Sequence, residues 1–195
     1  MEFSLKDAFR YPFKNFRSFW NFLWIFLPVI GWFFLYGYFL QILGSVATGK
    51  DKALPKSIGF WTNFVEGLKF LVYLVPLYIV LGLISWLAPG WVYVLLSLFA
   101  GIPYIYLTPR YAVSRKFQDL YDFPIGWAMI FSHFGDVVLF IVFYIVLAVV
   151  WGIASILIIT LVITLPALSY GTTYLEAKLY ARASPKKSTT KKSKK

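Results

Sequence analysis

With 195 residues, 60% of them hydrophobic, 22% aromatic and only 14% charged, the chain has too little polar surface to enclose a soluble core of its size, and its natural solvent is a membrane. One histidine and no cysteine exclude the usual zinc and copper ligand sets, disulfides and thiolate chemistry, and leave the redox compartment open. The net charge of +11 is spread unevenly, because Ser18–Gly49, Phe70–Pro109 and Val137–Leu175 contain no Asp, Glu, Lys or Arg.

Residues 2–17 place Lys6, Arg10, Lys14 and Arg17 on one helical stripe and Phe9, Phe13, Phe16 and Trp20 on another, which predicts an amphipathic helix in the headgroup region, begun or kinked at Pro12. This start is charged and aromatic rather than a short apolar core with a cleavage site, so the mature protein is expected to begin near Met1. One membrane-spanning helix needs roughly 20 residues. The first charge-free stretch therefore holds one span, 20–43, and the second holds two, 69–87 and 91–108, joined by the turn Trp86–Trp91. The third, with Trp151 and Gly152 near its centre, divides into 137–151 and 154–173. Period-2 alternation is absent, which argues against a transmembrane barrel. The expected fold is all-α, with about five spans (four to six) in one membrane domain, 1–183, followed by a basic disordered tail, 184–195.

Between the spans lie further amphipathic segments. Lys50–Lys56 reads as a polar loop and Ile58–Lys69 as an interfacial helix. Thr108 and Pro109 stop a helix, Arg110–Asp122 carries charge, and Pro124–Asp136 is again amphipathic. Tyr174–Ala183 is the third such segment. An offset of 67 maps Trp24 to Trp91, Ile58-Gly59-Phe60 to Ile125-Gly126-Trp127, Glu66 to His133 and Lys69 to Asp136, which suggests a parallel internal repeat. Lys and Arg counts set the orientation. Fifteen fall on the side of the loops and C-terminus and four at the N-terminus, so the loops and C-terminus are expected in the cytoplasm. The four N-terminal cations fit a first stretch that dips in and returns equally well.

The ordered run DAFRYP (Asp7–Pro12), YGYFLQILGSVATGKD (Tyr36–Asp51), LP (Leu54, Pro55), FVEGLKFL (Phe64–Leu71), YLTPRYAVSRKF (Tyr106–Phe117) and YLEAKLYARA (Tyr174–Ala183) resembles a prokaryotic, largely archaeal, membrane family catalogued as domain of unknown function 4013. The resemblance runs from Leu5 to Ala183 and implies a helical multispan protein with no assigned reaction, substrate or cofactor. A looser likeness links it to the membrane domain fused to some glycerophosphodiester phosphodiesterases, whose soluble catalytic domain has no counterpart in this sequence.

No serine sits in a GxSxG context, and the paired carboxylates Asp119 and Asp122 read as a solvated loop rather than an acid/base pair. No catalytic residue, metal site or cofactor is expected. Glu66 and Lys69, and likewise His133 and Asp136, sit three apart at the mouths of two spans, and a pseudo-axis between the units brings Glu66 to His133 and Lys69 to Asp136. That polar cluster reads first as interfacial pairing and second as a substrate or proton route. Pro28, Gly31, Gly37, Pro76, Gly82, Gly101, Pro103, Gly152 and Pro166 read as packing and tolerated kinks before helix breaks around a ligand. The Trp and Tyr near span ends read as interfacial belts before a cation cage. Lys6, Arg10, Lys14, Arg17, Lys186, Lys187, Lys191 and Lys192 are the expected contacts to anionic headgroups, in preference to nucleic acid. The function expected from these features is a non-catalytic membrane-organising or accessory subunit of the cell membrane, alone or in a larger complex. A homo-oligomeric transporter or channel, or a lipid-handling protein, is the alternative.

Overall fold

The computed structural model describes residues 4–27, 29–50, 53–154 and 161–184. Its α-helices are α1 (Leu5–Arg10), α2 (Phe16–Phe19), α3 (Ile30–Ala47), α4 (Phe60–Leu87), α5 (Gly90–Gly101), α6 (Tyr104–Ser114), α7 (Phe123–Ser132), α8 (Phe134–Ala154) and α9 (Leu161–Ala183), and no strand occurs among the described residues. Four helical stretches are long and apolar enough to cross a membrane: α3, α4, the α5–α6 pair and α8. The chain is a multi-pass helical membrane protein.

Three helices form the centre: α3, α6 and α9 pack on one another, with α4 laid on α3, α8 on α9 and α7 on α6. The offset of 67 carries the bounds of α3 onto 97–114, the end of α5 plus α6, and then onto 164–181, within α9. It carries α4 onto 127–154, the stretch covered by α7 and α8. The repeat of the sequence is thus a repeat of helix bounds, with equivalent helices at the centre.

Close approach fixes the α3–α4 crossing. A Cβ on Gly37 would lie 1.8 Å from the Asn63 carbonyl oxygen, and one on Gly67 would lie 1.8 Å from that of Phe33. Only glycine lets the two backbones meet there, the usual device where lipid supplies no hydrophobic drive between helices. The packing reading of the glycines holds at Gly31 and Gly37, whereas Gly82, Gly101 and Gly152 meet nothing within 4 Å.

Several boundaries differ from expectation. The first long helix is α3 rather than 20–43. Trp20–Phe26 is a 3-10 helix folded back along α3, with the Trp24 ring 5.3 Å from Phe34 and Gly31 against the Trp24 carbonyl. Pro28 lies outside the described residues. The amphipathic segment 2–17 is broken at Pro12, which occupies a 3-10 turn, Tyr11–Phe13. Its inner side is buried protein, because Ala8 and Tyr11 have no exposure and the Tyr11 ring sits 4.6 Å from that of Tyr174.

Segment 58–69 is no separate interfacial helix but the start of α4, which stays helical through Pro76. Pro109 does not stop α6. The break comes at Ile102 and Pro103, where proline's fixed φ suits a helix start, and α6 ends with Arg115 in the left-handed conformation (φ 57°). The turn at Trp86–Trp91 stands as expected, with Pro89 capping α5. Segment 124–136 divides at His133 between α7 and α8. The expected span 154–173 falls partly outside the described residues, and α9 runs on to Ala183. It absorbs the third interfacial segment and buries Tyr174, Leu175, Ala177 and Leu179.

Candidate functional site

The charged side chains near the helix ends sort into ion pairs at repeat-equivalent positions. Glu66 accepts from Arg115 (3.1 Å) and from Lys69 (3.2 Å), while Asp136 pairs with Arg182 (2.9 Å). Arg115 and Arg182 are themselves 67 apart, so in each case the arginine at the end of an inner helix closes onto the start of the outer helix that precedes it in the chain. The four residues Glu66, Lys69, His133 and Asp136 therefore divide into two sets instead of one entrance cluster. His133 contributes a ring nitrogen 3.0 Å from the Ser132 hydroxyl. The physical reason is the packing order: α4 lies against α3 and α5, and α8 against α9 and α7, so the two outer helix starts rest on different partners.

Asp119 and Asp122 do not sit in a freely solvated loop. The Arg110 guanidinium bridges them at 2.9 and 3.0 Å, the Ser114 hydroxyl donates to Asp119, and Asp119 is 8% exposed. This clamp ties the loop after α6 back onto that helix, and the Tyr121 hydroxyl donating to the Tyr73 carbonyl ties the same loop to α4. Lys6, Arg10, Lys14 and Arg17 are all exposed, with Lys14 3.9 Å from Asp7, so the cationic stripe faces outward. Lys186, Lys187, Lys191 and Lys192 lie outside the described residues.

One concave feature was not visible in the sequence. A cleft of about 650 Å³ lies where α3, α4, α5, α6 and α9 meet. Its floor is apolar, made by Leu40, Leu43, Phe70 and Leu74, all buried. Tyr36, Tyr78, Tyr93 and Tyr104 bring four phenol rings to its lining. Into this surface α9 brings Thr173, whose hydroxyl donates to the Ser169 carbonyl at 2.7 Å, and Glu176. Among the described residues nothing hydrogen-bonds or ion-pairs with the Glu176 carboxyl group. Two further polar atoms of the lining, the Tyr104 hydroxyl and the Ser97 Oγ, are buried without a hydrogen-bond partner. Buried polar groups in proteins are nearly always satisfied, so two orphans in a cleft that also holds an unpaired carboxyl group mark a place built for another molecule.

Sequence reasoning missed Glu176 because it follows directly on the third charge-free stretch and reads as the start of an interfacial segment. The available signal was the small-residue series Ala167, Gly171 and Ala177, which marks a helix packed closely on protein.

The model of a family described as "Protein of unknown function (DUF4013)" matches residues 21–164, a narrower stretch than Leu5–Ala183. That match takes in the cleft walls from α3, α4, α5 and α6 and stops before Thr173 and Glu176. Neither a curated protein nor a solved structure matches the chain.

Proposed function

The chain belongs to the DUF4013 family, whose description assigns no reaction, and from that premise we propose that it is a non-catalytic, lipid-handling membrane protein. In this reading an amphiphile from the bilayer lodges in the cleft between α3, α4, α5, α6 and α9. The observation that carries it is the cleft itself: apolar walls, a volume suited to one chain-bearing molecule, and unpaired polar atoms in its lining. The basic arms serve as accessory contacts, with the loops and C-terminus on the cytoplasmic side and their cations toward anionic headgroups. A larger membrane complex is compatible with the role, since Trp86, Leu87 and Trp91 are exposed apolar side chains at one end of the bundle. A path lined by Glu66, Lys69, His133 and Asp136 has less support, because Glu66 pairs with Lys69 and Arg115 while Asp136 pairs with Arg182.

The test is extraction from native membranes without detergent, followed by mass spectrometry that detects both lipid and protein. The expected outcome is one amphiphile per chain, lost in Leu77→Trp, which fills the cleft from α4. Empty protein in stoichiometric yield with a second polypeptide would replace this reading with that of a purely structural accessory subunit.

A further inference from the structure

We infer that the cleft selects an amphiphile bearing a single ammonium-type cation, whose charge meets the Glu176 carboxylate while its tail lies along the leucines of α3 and α4. This inference rests on the lipid-handling reading and names the ligand class.

An acidic side chain among apolar walls is retained only where a partner, water or a proton satisfies it, and an incoming cation is the partner that rewards it most. The cations nearby in sequence and structure are already committed. Arg110 holds Asp119 and Asp122, Arg115 holds Glu66, Arg182 holds Asp136, and Lys178 lies over the Tyr174 ring at 5.5 Å. The negative group of the cleft is thus left for something from outside.

The rest of the lining fits the same headgroup. Phenol faces attract cations through the ring quadrupole, and Tyr36, Tyr78, Tyr93 and Tyr104 offer several. The unpaired Tyr104 and Ser97 hydroxyl oxygens accept hydrogen bonds from an ammonium N–H. An anionic headgroup would set a second negative charge beside Glu176 in a medium of low dielectric, the least favourable occupant of this site.

The test uses the full chain in phosphatidylglycerol nanodiscs, titrated with three amphiphiles of one chain length: dodecylammonium, dodecanol and dodecyl phosphate. Bound molecules are counted by native mass spectrometry, with Leu77→Trp subtracting what adsorbs to the bilayer or the outer surface. The expected result is one cationic amphiphile per chain, bound at least tenfold more tightly than dodecanol, with dodecyl phosphate weakest. Glu176→Gln should bring the cation down to the affinity of the alcohol. Glu176→Asp should keep part of the preference, and Tyr104→Phe should lower it a few-fold, so that the result does not hang on one variant folding.

Equal, Leu77-dependent binding of all three amphiphiles, unchanged in Glu176→Gln, would overturn the cation inference and leave the lipid-handling reading standing. No binding sensitive to Leu77→Trp would overturn both. Competition by an ethanolamine phospholipid would identify the cation as a membrane lipid, and competition by tetraphenylphosphonium alone would identify it as a free lipophilic cation.

Discussion

Two neighbouring helices, α8 and α9, are packed on each other and yet built on opposite rules. Helix α8 is continuously apolar after Asp136, but only Val137 and Leu147 of its 21 residues are buried. Helix α9 carries Thr164, Ser169, Thr172, Thr173, Glu176 and Lys178, and it buries Ala167, Tyr170, Tyr174, Leu175, Ala177 and Leu179. The same contrast runs through the molecule. Half of the apolar window of α3 is buried, against 11% in α4 and 17% in α8. In water the most apolar helix goes inside. In lipid the outside is equally apolar, so the inner places go to helices that pack closely and satisfy polar groups, and the least apolar of the four candidate spans, α3, is the most buried.

The sharpest way to break that contrast is a single methyl group. Gly67→Ala puts a Cβ 1.8 Å from the Phe33 carbonyl oxygen at the α3–α4 crossing, and no side-chain rotation relieves a clash with backbone. The expected cost is about 3 kcal/mol or more, or failure to fold. Gly152→Ala on α8 meets nothing within 4 Å, and helix propensity alone makes it neutral or stabilising by up to about 1 kcal/mol. Thermal unfolding of both variants in nanodiscs decides the point. Equal midpoints would show that the two helix classes are not separated by packing.

A second pair of variants compares aromatic rings. Tyr170 is fully buried, within about 6 Å of the rings of Phe19, Phe22, Tyr38 and Phe39, and its hydroxyl donates to the Phe19 carbonyl at 3.3 Å. Truncating a core aromatic in a soluble protein costs about 3–5 kcal/mol, part of it transfer from water. With lipid as the reference that part shrinks, so Tyr170→Ala is expected near ~3 kcal/mol. Trp86 is 86% exposed, and Trp86→Ala should cost less than about 1 kcal/mol in the same unfolding assay.

The same contrast explains what the sequence revealed. Charge-free stretches and the Trp86–Trp91 turn located the lipid-facing helices, because exposure to lipid is what a continuous apolar run reports. The offset of 67, read from Ile58-Gly59-Phe60 and its counterpart, anticipated the equivalence of α4 with the α7–α8 stretch. The inner helices were harder to read. A buried helix in lipid is polar enough to pass for an interfacial one, as Tyr174–Ala183 does, and nothing local separates the two. The cleft draws residues from five helices, and Arg110 reaches two aspartates through a loop fold, so neither follows from spacing along one helix.

The smallest expected effect tests whether the charged ends obey the inner–outer distinction too. The Arg110 clamp is the better buried, with side-chain exposures of 24% for Arg110, 12% for Asp119 and 31% for Asp122, so Arg110→Ala strands two partly desolvated carboxylates. A loss of about 1–2 kcal/mol follows, below the range for a fully buried pair. Arg115 and Glu66, at 37% and 24%, stand nearer to water, and Arg115→Ala should cost under about 1 kcal/mol and fade further in 1 M salt. Arg182→Ala is expected to behave as Arg115→Ala does, since both arginines end inner helices at repeat-equivalent positions. A double-mutant cycle on each pair measures the couplings. Matched values for Arg115–Glu66 and Arg182–Asp136, both below that of Arg110 with Asp119, would mean that the repeat carries its ion pairs with it. Unequal values would mean that the units share helix bounds and have diverged in the contacts that hold their ends.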